Sequence, residues 1–101
     1  MTKLKITIAK KFSSEDVFGH KIKRLSGGTV PICGLEEREY IVNHQFEMPN
    51  DFCGKAWQDM SRELALLWYG VDPEYTEHNA VYTSCTDGVR PVVFRIERLE
   101  S

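Results

Sequence analysis

An apolar stripe in residues 53–69 is the feature that most restricts the fold of this chain. Its members recur at spacings of three and four, and they are Cys53, Ala56, Trp57, Met60, Leu64, Leu67 and Trp68. This spacing gives a helix one apolar face, so we predict a single long helix over residues 53–69. Asn50 or Asp51 can cap its first turn through a side-chain oxygen, and Gly70 can end it. Such a helix must bury its stripe against another layer.

The segments around this helix alternate in hydropathy with the period of two that is typical of strands. Leu4, Ile6 and Ile8 alternate with polar residues near the N-terminus and predict a first strand. Three further strands are predicted at residues 39–44 (continuing toward 49), 80–85 and 92–99. Together these patterns predict a single α+β domain over residues 1–101. In it a small antiparallel sheet, open or barrel-like, packs against one long helix.

Charge and hydropathy argue against two classes of partner. The formal net charge is −2, with basic residues mixed among acidic ones, so the chain lacks the basic face that nucleic-acid binding requires. The longest nearly apolar run, residues 64–69, is too short to cross a bilayer. No apolar signal core follows the first residues. We therefore expect a cytoplasmic protein that binds neither nucleic acid nor membranes.

The turn between the last two predicted strands combines three reactive groups within a few residues. Cys85 contributes a thiol, Asp87 a carboxylate and Arg90 a guanidinium. One interpretation is a catalytic site in which Arg90 clamps an anion. In the alternative, Asp87 only hydrogen-bonds within the turn, Gly88 supplies a positive φ, and Arg90 pairs with Asp87 at the surface. We include Cys85, Asp87 and Arg90 among the candidate catalytic residues.

Two further residues are candidates for the same chemistry. Cys53 lies at the predicted helix start, where free N–H groups favour an anionic, nucleophilic thiol. The alternative is that Cys53 is a small core residue of the stripe. His44 follows a predicted strand and is the best histidine candidate for a general acid or base, although a lone histidine is more often structural.

A pocket beside these groups would need side chains to hold a substrate. Trp57 and Tyr82 can line a site for an aromatic ligand. Cys33 lies in a rigid segment after Pro31 and is a third candidate for contact with the substrate. Trp57 has a competing interpretation as a core residue, because it belongs to the helical stripe.

The three cysteines could also be considered as metal ligands. Cys33, Cys53 and Cys85 with His44 would complete a Cys₃His set. Structural zinc sites usually take two ligands from one short knuckle, and here each residue comes from a different element. We therefore expect three reduced thiols, no metal and no cofactor.

These motifs resemble those of a small, functionally uncharacterised microbial protein family. Its pattern has a Cys-Pro segment, a Phe-Cys-x-x-Ala-Trp helix start and a Cys-Cys-Thr-Asp-Gly-x-Arg-Pro-Val-x-Phe turn; the matching residues are 31–33, 52–57 and 84–94. Two departures are that Ser84 replaces the first cysteine of the pair and that Gly34, not Pro, follows Cys33. The resemblance implies the fold and the place of a site. It implies no particular reaction, and a mechanism that needs adjacent thiols would not operate here.

These observations predict a small cofactor-independent enzyme that acts on an organic small molecule. Its pocket would lie between the helix start and the turn at residues 85–90, and its chemistry would be proton transfer, isomerisation, cyclisation or a lyase reaction. The alternative is a non-catalytic module that binds a small molecule or docks on a partner. It would use an apolar surface near Trp68, Tyr69 and Tyr75, with a two-fold homodimer as the simplest outcome.

Overall fold

The fold is an antiparallel sheet with its helices packed on one face. The computed structural model describes residues 2–73 and 77–99, and within them the sheet has four strands in the order β2-β1-β4-β3. The strands are β1 (Lys3–Lys11), β2 (Tyr40–Val42), β3 (Ala80–Ser84) and β4 (Val92–Leu99), and the helices are α1 (Ser14–Phe18), α2 (Gly54–Asp59) and α3 (Ser61–Trp68). The predicted α+β class is therefore confirmed.

Buried and more exposed side chains alternate along β1 and β4, so the two faces of the sheet differ. Leu4 and Ile6 of β1 and Phe94 and Ile96 of β4 are buried on the helix side, where Ile6 pairs with Ile96. On the outer face the Glu97 carboxylate forms ion pairs with the Lys5 ammonium at 2.8 Å and with the Arg95 guanidinium at 3.0 Å. One face is therefore core, and the other carries charge pairs, of which Lys5 with Glu97 joins β1 to β4.

The predicted apolar stripe does face the sheet. Ala56, Met60, Leu64 and Leu67 are buried, whereas the remaining members, Cys53, Trp57 and Trp68, are partly buried against the same core. Phe52, just before the helices, packs its ring against Tyr40 and Phe94 at centroid distances of 4.9 and 5.6 Å.

The single long helix predicted over residues 53–69 is wrong, because the helix is interrupted at Met60. Met60 has φ −96° and ψ 10°, which ends α2 and begins α3. Asp59 and Ser61 flank the break, and both residue types favour helix ends because their side chains offer competing hydrogen bonds. The predicted N-caps are also wrong: Cys53 occupies the N-cap of α2, and Asp51 has a left-handed φ of 61°. The predicted end at Gly70 is confirmed, since this glycine follows α3 with a left-handed φ of 81°.

The sheet is open, so the barrel-like option is wrong as well. β2 and β3 lie at opposite edges, and β2 spans only the residues 40–42, far short of the predicted extension toward residue 49. Phe46 has a φ of 61°, and a left-handed residue cannot continue a strand. A sheet of about this size has too few strands to close around a core.

Arg98 of β4 ties the far end of α3 to the sheet. Its Nε donates to the carbonyl of Leu67 at 2.7 Å, and its backbone N–H donates to the carbonyl of Asn79 at 2.7 Å. A cation is favourable at this position because the helix dipole places partial negative charge on the last carbonyls. Tyr75, which the sequence placed near this end of the helix, lies outside the described residues.

No helix in residues 2–73 and 77–99 combines the length and the apolar character that a bilayer span requires.

Adjacent leucines in α3 give a matched test of this packing. Leu67 is fully buried, whereas Leu66 is partly exposed. We expect Leu67→Ala to lower the free energy of unfolding by about 2–5 kcal/mol, because it leaves a cavity in the core. Leu66→Ala should cost clearly less, since it removes less buried surface. Urea unfolding measures both values, and equal losses would contradict the assigned orientation of α3.

Candidate functional site

All three cysteines line one pocket between α2, the turn that joins β3 to β4, and the segment before β2. We call it the thiol pocket; its volume is about 170 Å³. Its polar walls are formed by Cys33, Cys53, Lys55, Cys85, Asp87 and Arg90. Leu35, Ala56, Val92 and Phe94 form its apolar part. The structure therefore brings together five of the eight residues that the sequence proposed for a site.

Cys85 is held in place by the first residue of β4. Its backbone N–H donates to the carbonyl of Val92 at 3.1 Å, and the N–H of Val92 donates back to Cys85 Sγ at 3.3 Å. The side chain is partly buried. Because a backbone donor points at the sulfur, its position in the pocket wall is set by the pairing of β3 with β4.

The Asp87 carboxylate organises the turn that follows. Its Oδ1 accepts from the backbone N–H groups of Val89 at 3.0 Å and Arg90 at 3.2 Å. Burial raises the pKa of Asp87, but these two N–H groups and the nearby charges of Lys55 and Arg90 outweigh it, so the pKa lies below its ordinary value. The turn role predicted for Asp87 is confirmed. The positive φ predicted for Gly88 is wrong, because the described residues with positive φ do not include it.

Arg90 is loosely tethered at the mouth of the pocket. Its Nε lies 3.5 Å from Asp87 Oδ2, and its Nη1 donates to the carbonyl of Pro31 at 3.4 Å. Both distances are at the long limit for a hydrogen bond, so the guanidinium keeps donors for a ligand.

Asp59 fixes the turn to the helical layer. Its Oδ2 accepts from both the backbone N–H of Thr86 at 2.8 Å and the Thr86 hydroxyl at 3.0 Å. The sequence places Asp59 on the polar side of the predicted helix, and nothing in its spacing points to Thr86. The sequence analysis therefore missed this residue, which holds Cys85 and Asp87 close to α2.

Cys53 and Cys33 complete the wall from two other parts of the chain. Cys53 is partly buried at the start of α2, and its side chain makes no capping hydrogen bond. Cys33 lies in an irregular segment that is attached on both sides: Arg90 donates to Pro31, and the Lys11 ammonium donates to the carbonyl of Leu35.

The other three predicted site residues do not line the thiol pocket. His44 is exposed beyond the end of β2. Tyr82 lies on the outer face of the sheet, opposite Arg95, because side chains alternate along β3 and residues 81, 83 and 85 are on the core side. The Tyr82 hydroxyl donates to Glu77 at 3.0 Å. Trp57 packs edge-on against Phe52 and lines a small cavity next to Trp68 instead. The core interpretation fits Trp57 better.

Within residues 2–73 and 77–99, no group of three or more His, Cys, Asp or Glu side chains is arranged to hold a metal ion. Compared with known proteins, the chain matches no family model, no curated protein and no solved structure. The resemblance to the microbial family therefore stays a prediction.

The lowered pKa of Asp87 gives the turn a defined pH dependence. Asp87→Asn keeps an oxygen acceptor for the two N–H groups but removes the charge. A carboxylate with a depressed folded pKa stabilises the protein above its ordinary pKa, about 4, and this contribution is lost as the pH falls through the lower folded value. We expect the variant to be less stable at neutral pH by at most about 1 kcal/mol, since the group is partly exposed.

Denaturant unfolding of both proteins across the acid range measures this difference. It should shrink toward zero as the pH falls below the ordinary carboxyl pKa. Glu37→Gln is the control, because Glu37 is exposed and lies outside the pocket. A stability difference that is the same at neutral and acid pH would show that the charge of Asp87 does not stabilise the turn.

Proposed function

We propose that this protein is a small cofactor-independent enzyme that moves a proton on an organic small molecule bound in the thiol pocket. The observation that carries the proposal is that two thiols, Cys53 and Cys85, line the same pocket as two cations, Lys55 and Arg90. Thiols that share a concave, partly apolar site with cationic groups are typical of nucleophilic or acid–base chemistry. The reaction class is an isomerisation, cyclisation or lyase reaction.

Size and charge define the kind of substrate. Pockets for drug-sized ligands have volumes of about 300–1,000 Å³, so a pocket of about 170 Å³ suits a compact molecule or the reacting part of a larger one. Lys55 and Arg90 carry two positive charges against the one negative charge of Asp87. An organic acid, or a carbonyl compound that forms an enolate, fits this balance best.

The roles follow from how each side chain is held. The Cys53 side chain makes no capping hydrogen bond, so its sulfur is available as the base that takes a proton from carbon. The electron pair of that C–H bond moves to the neighbouring carbonyl oxygen, whose charge Arg90 and Lys55 stabilise. The electron pair then returns from the oxygen and forms a new C–H bond with the proton of the Cys85 thiol, so one proton leaves the substrate and one is returned. The step balances without an oxidant or a reductant.

Two other pocket residues have supporting roles. Asp87 accepts from the turn backbone, and its Oδ2 forms an ion pair with Arg90 Nε at 3.5 Å, so it keeps the guanidinium beside the pocket. Cys33 closes the side of the pocket next to β2, where it sets the shape available to the substrate.

Exchange of substrate C–H hydrogens with deuterated water tests the proposal. A panel of small carboxylic and oxo acids is incubated with the protein, and loss of their C–H signals is followed by proton NMR. We expect exchange on at least one member of the panel. Cys53→Ser and Cys85→Ser should each slow the exchange roughly a hundredfold or more, which is the rate factor that a positioned acid or base usually contributes.

His44→Gln and Tyr82→Phe are the controls, because the structure places both residues outside the thiol pocket. Their exchange rates should stay near that of the unmodified protein. No exchange on any compound, or exchange that depends on His44 rather than the cysteines, would overturn the proposed enzyme.

A second candidate is a binding module that docks through an apolar surface formed by Phe46, Trp68 and Tyr69. Phe46 is 69% exposed and Tyr69 66% exposed, and they are adjacent because Gln45 donates from its side chain to the Tyr69 hydroxyl. Phe46 also has a φ of 61°. A bulky residue in this region is strained, and strain of this kind is concentrated at functional sites.

If a second copy of the chain covers this surface, light scattering should give the mass of a dimer. Phe46→Asp should then return the mass of a monomer, because it places a charge in the apolar contact. Leu25→Asp is the matched control, since Leu25 is exposed elsewhere on the molecule. A strictly monomeric protein at high concentration would remove the homodimer from consideration.

A further inference from the structure

A second groove lies next to the thiol pocket and shares one wall with it. It has a volume of about 340 Å³ and is lined by Arg24, Val30, Pro31, Asp87, Val89 and Arg90. We call it the arginine groove. Asp87 and Arg90 line both cavities, so the two cavities adjoin at these side chains.

Arg24 is presented to the groove by a small hairpin. Lys23 bridges to Thr29, the Arg24 N–H donates to the carbonyl of Gly28 at 2.9 Å, and the Val30 N–H donates to Ile22 at 2.8 Å. Gly28 has a φ of 74°, a value that glycine adopts without strain in such a tight turn. The backbone of Arg24 is therefore fixed, although its side chain is exposed.

The guanidinium of Arg24 has no ion-pair partner among residues 2–73 and 77–99. The sequence explains why: residues 17–35 contain Lys21, Lys23 and Arg24 but no aspartate or glutamate. This is a locally positive segment in a chain whose net charge is −2. A concentration of unpaired cations beside a concave surface attracts anionic ligands.

The one carboxylate in the groove does not neutralise both arginines. Asp87 Oδ1 already accepts from the backbone N–H groups of Val89 and Arg90, and only Oδ2 faces the Arg90 side chain, at 3.5 Å from its Nε. The groove therefore keeps a positive charge. Guanidinium groups bind carboxylate and phosphate oxygens in pairs of parallel hydrogen bonds.

We propose that the arginine groove binds an oxyanion group of the substrate, a carboxylate or a phosphate, between Arg24 and Arg90. This inference rests on the proposed enzyme, because the groove and the thiol pocket share Asp87 and Arg90. The substrate is then an extended organic anion: its reacting carbon lies at Cys53 and Cys85, and its oxyanion end lies under the hairpin. Arg90 contacts the molecule between these two positions.

Titration with inorganic phosphate and, separately, with acetate tests the site and distinguishes the two oxyanions. The side-chain Nε–H signals of Arg24 and Arg90 are followed by ¹H–¹⁵N NMR. We expect one of the two anions to shift both signals with saturation. Arg24→Gln should weaken that binding roughly tenfold, the usual weight of a charge-assisted contact, and Arg24→Lys should give an intermediate loss because it keeps the charge without the planar fork.

Arg62→Gln is the matched control, because Arg62 is exposed on α3 and lines neither cavity. If neither anion shifts Arg24 and Arg90, or if Arg62→Gln weakens binding as much as Arg24→Gln does, the groove is not an oxyanion site. Failure of the enzyme proposal has a different result: phosphate or acetate would bind with the Arg24 dependence described, while no compound would exchange its C–H hydrogens.

Discussion

The pairing of β1 with β4 is the constraint on which the rest of the structure depends. It joins Lys3 to Leu99 and Ile6 to Ile96, residues that are far apart in the chain, so the loop-closure cost must be met before the core can form. β2 then adds to the free side of β1, and β3 adds to the free side of β4. The buried face of this central pair is the surface against which α2 and α3 pack.

The candidate site is an extension of that same pair. β4 supplies Val92 and Phe94 to the apolar part of the thiol pocket, and Val92 also holds Cys85 through two backbone contacts. Asp59 then attaches the following turn to α2. The thiols are therefore positioned by elements of the sheet and the helical layer rather than by a free loop, which is the arrangement that precise chemistry needs.

Features set by local periodicity could be predicted from the sequence. The alternation of Leu4 and Ile6 places β1, and the stripe containing Leu64 and Leu67 identifies the helical layer. The break at Met60 could not be predicted this way, because a stripe of buried residues continues through it without a change of period. Periodicity reports which residues face the core, and it does not report whether the backbone between them is continuous.

The residues of the pocket were largely predictable from the sequence, whereas the hydrogen bonds that join its distant segments were not. Cys85, Asp87 and Arg90 share one turn, so their proximity follows from the sequence. The bond between Asp59 and Thr86 depends on tertiary packing alone. His44 was misplaced for a related reason: a strand expected to run toward residue 49 ends at Val42, so the side chains beyond it do not continue its alternation.

The break at Met60 divides the helical layer into two parts with separate attachments. α3 is fastened to β4 through Arg98 and Leu67, whereas α2 is fastened to the β3–β4 turn through Asp59 and Thr86. Cooperative opening units follow such boundaries, because a rigid helix transmits a displacement that an interrupted one absorbs. The wall that carries Cys53 is thus anchored separately from the part of the helical layer around Leu67.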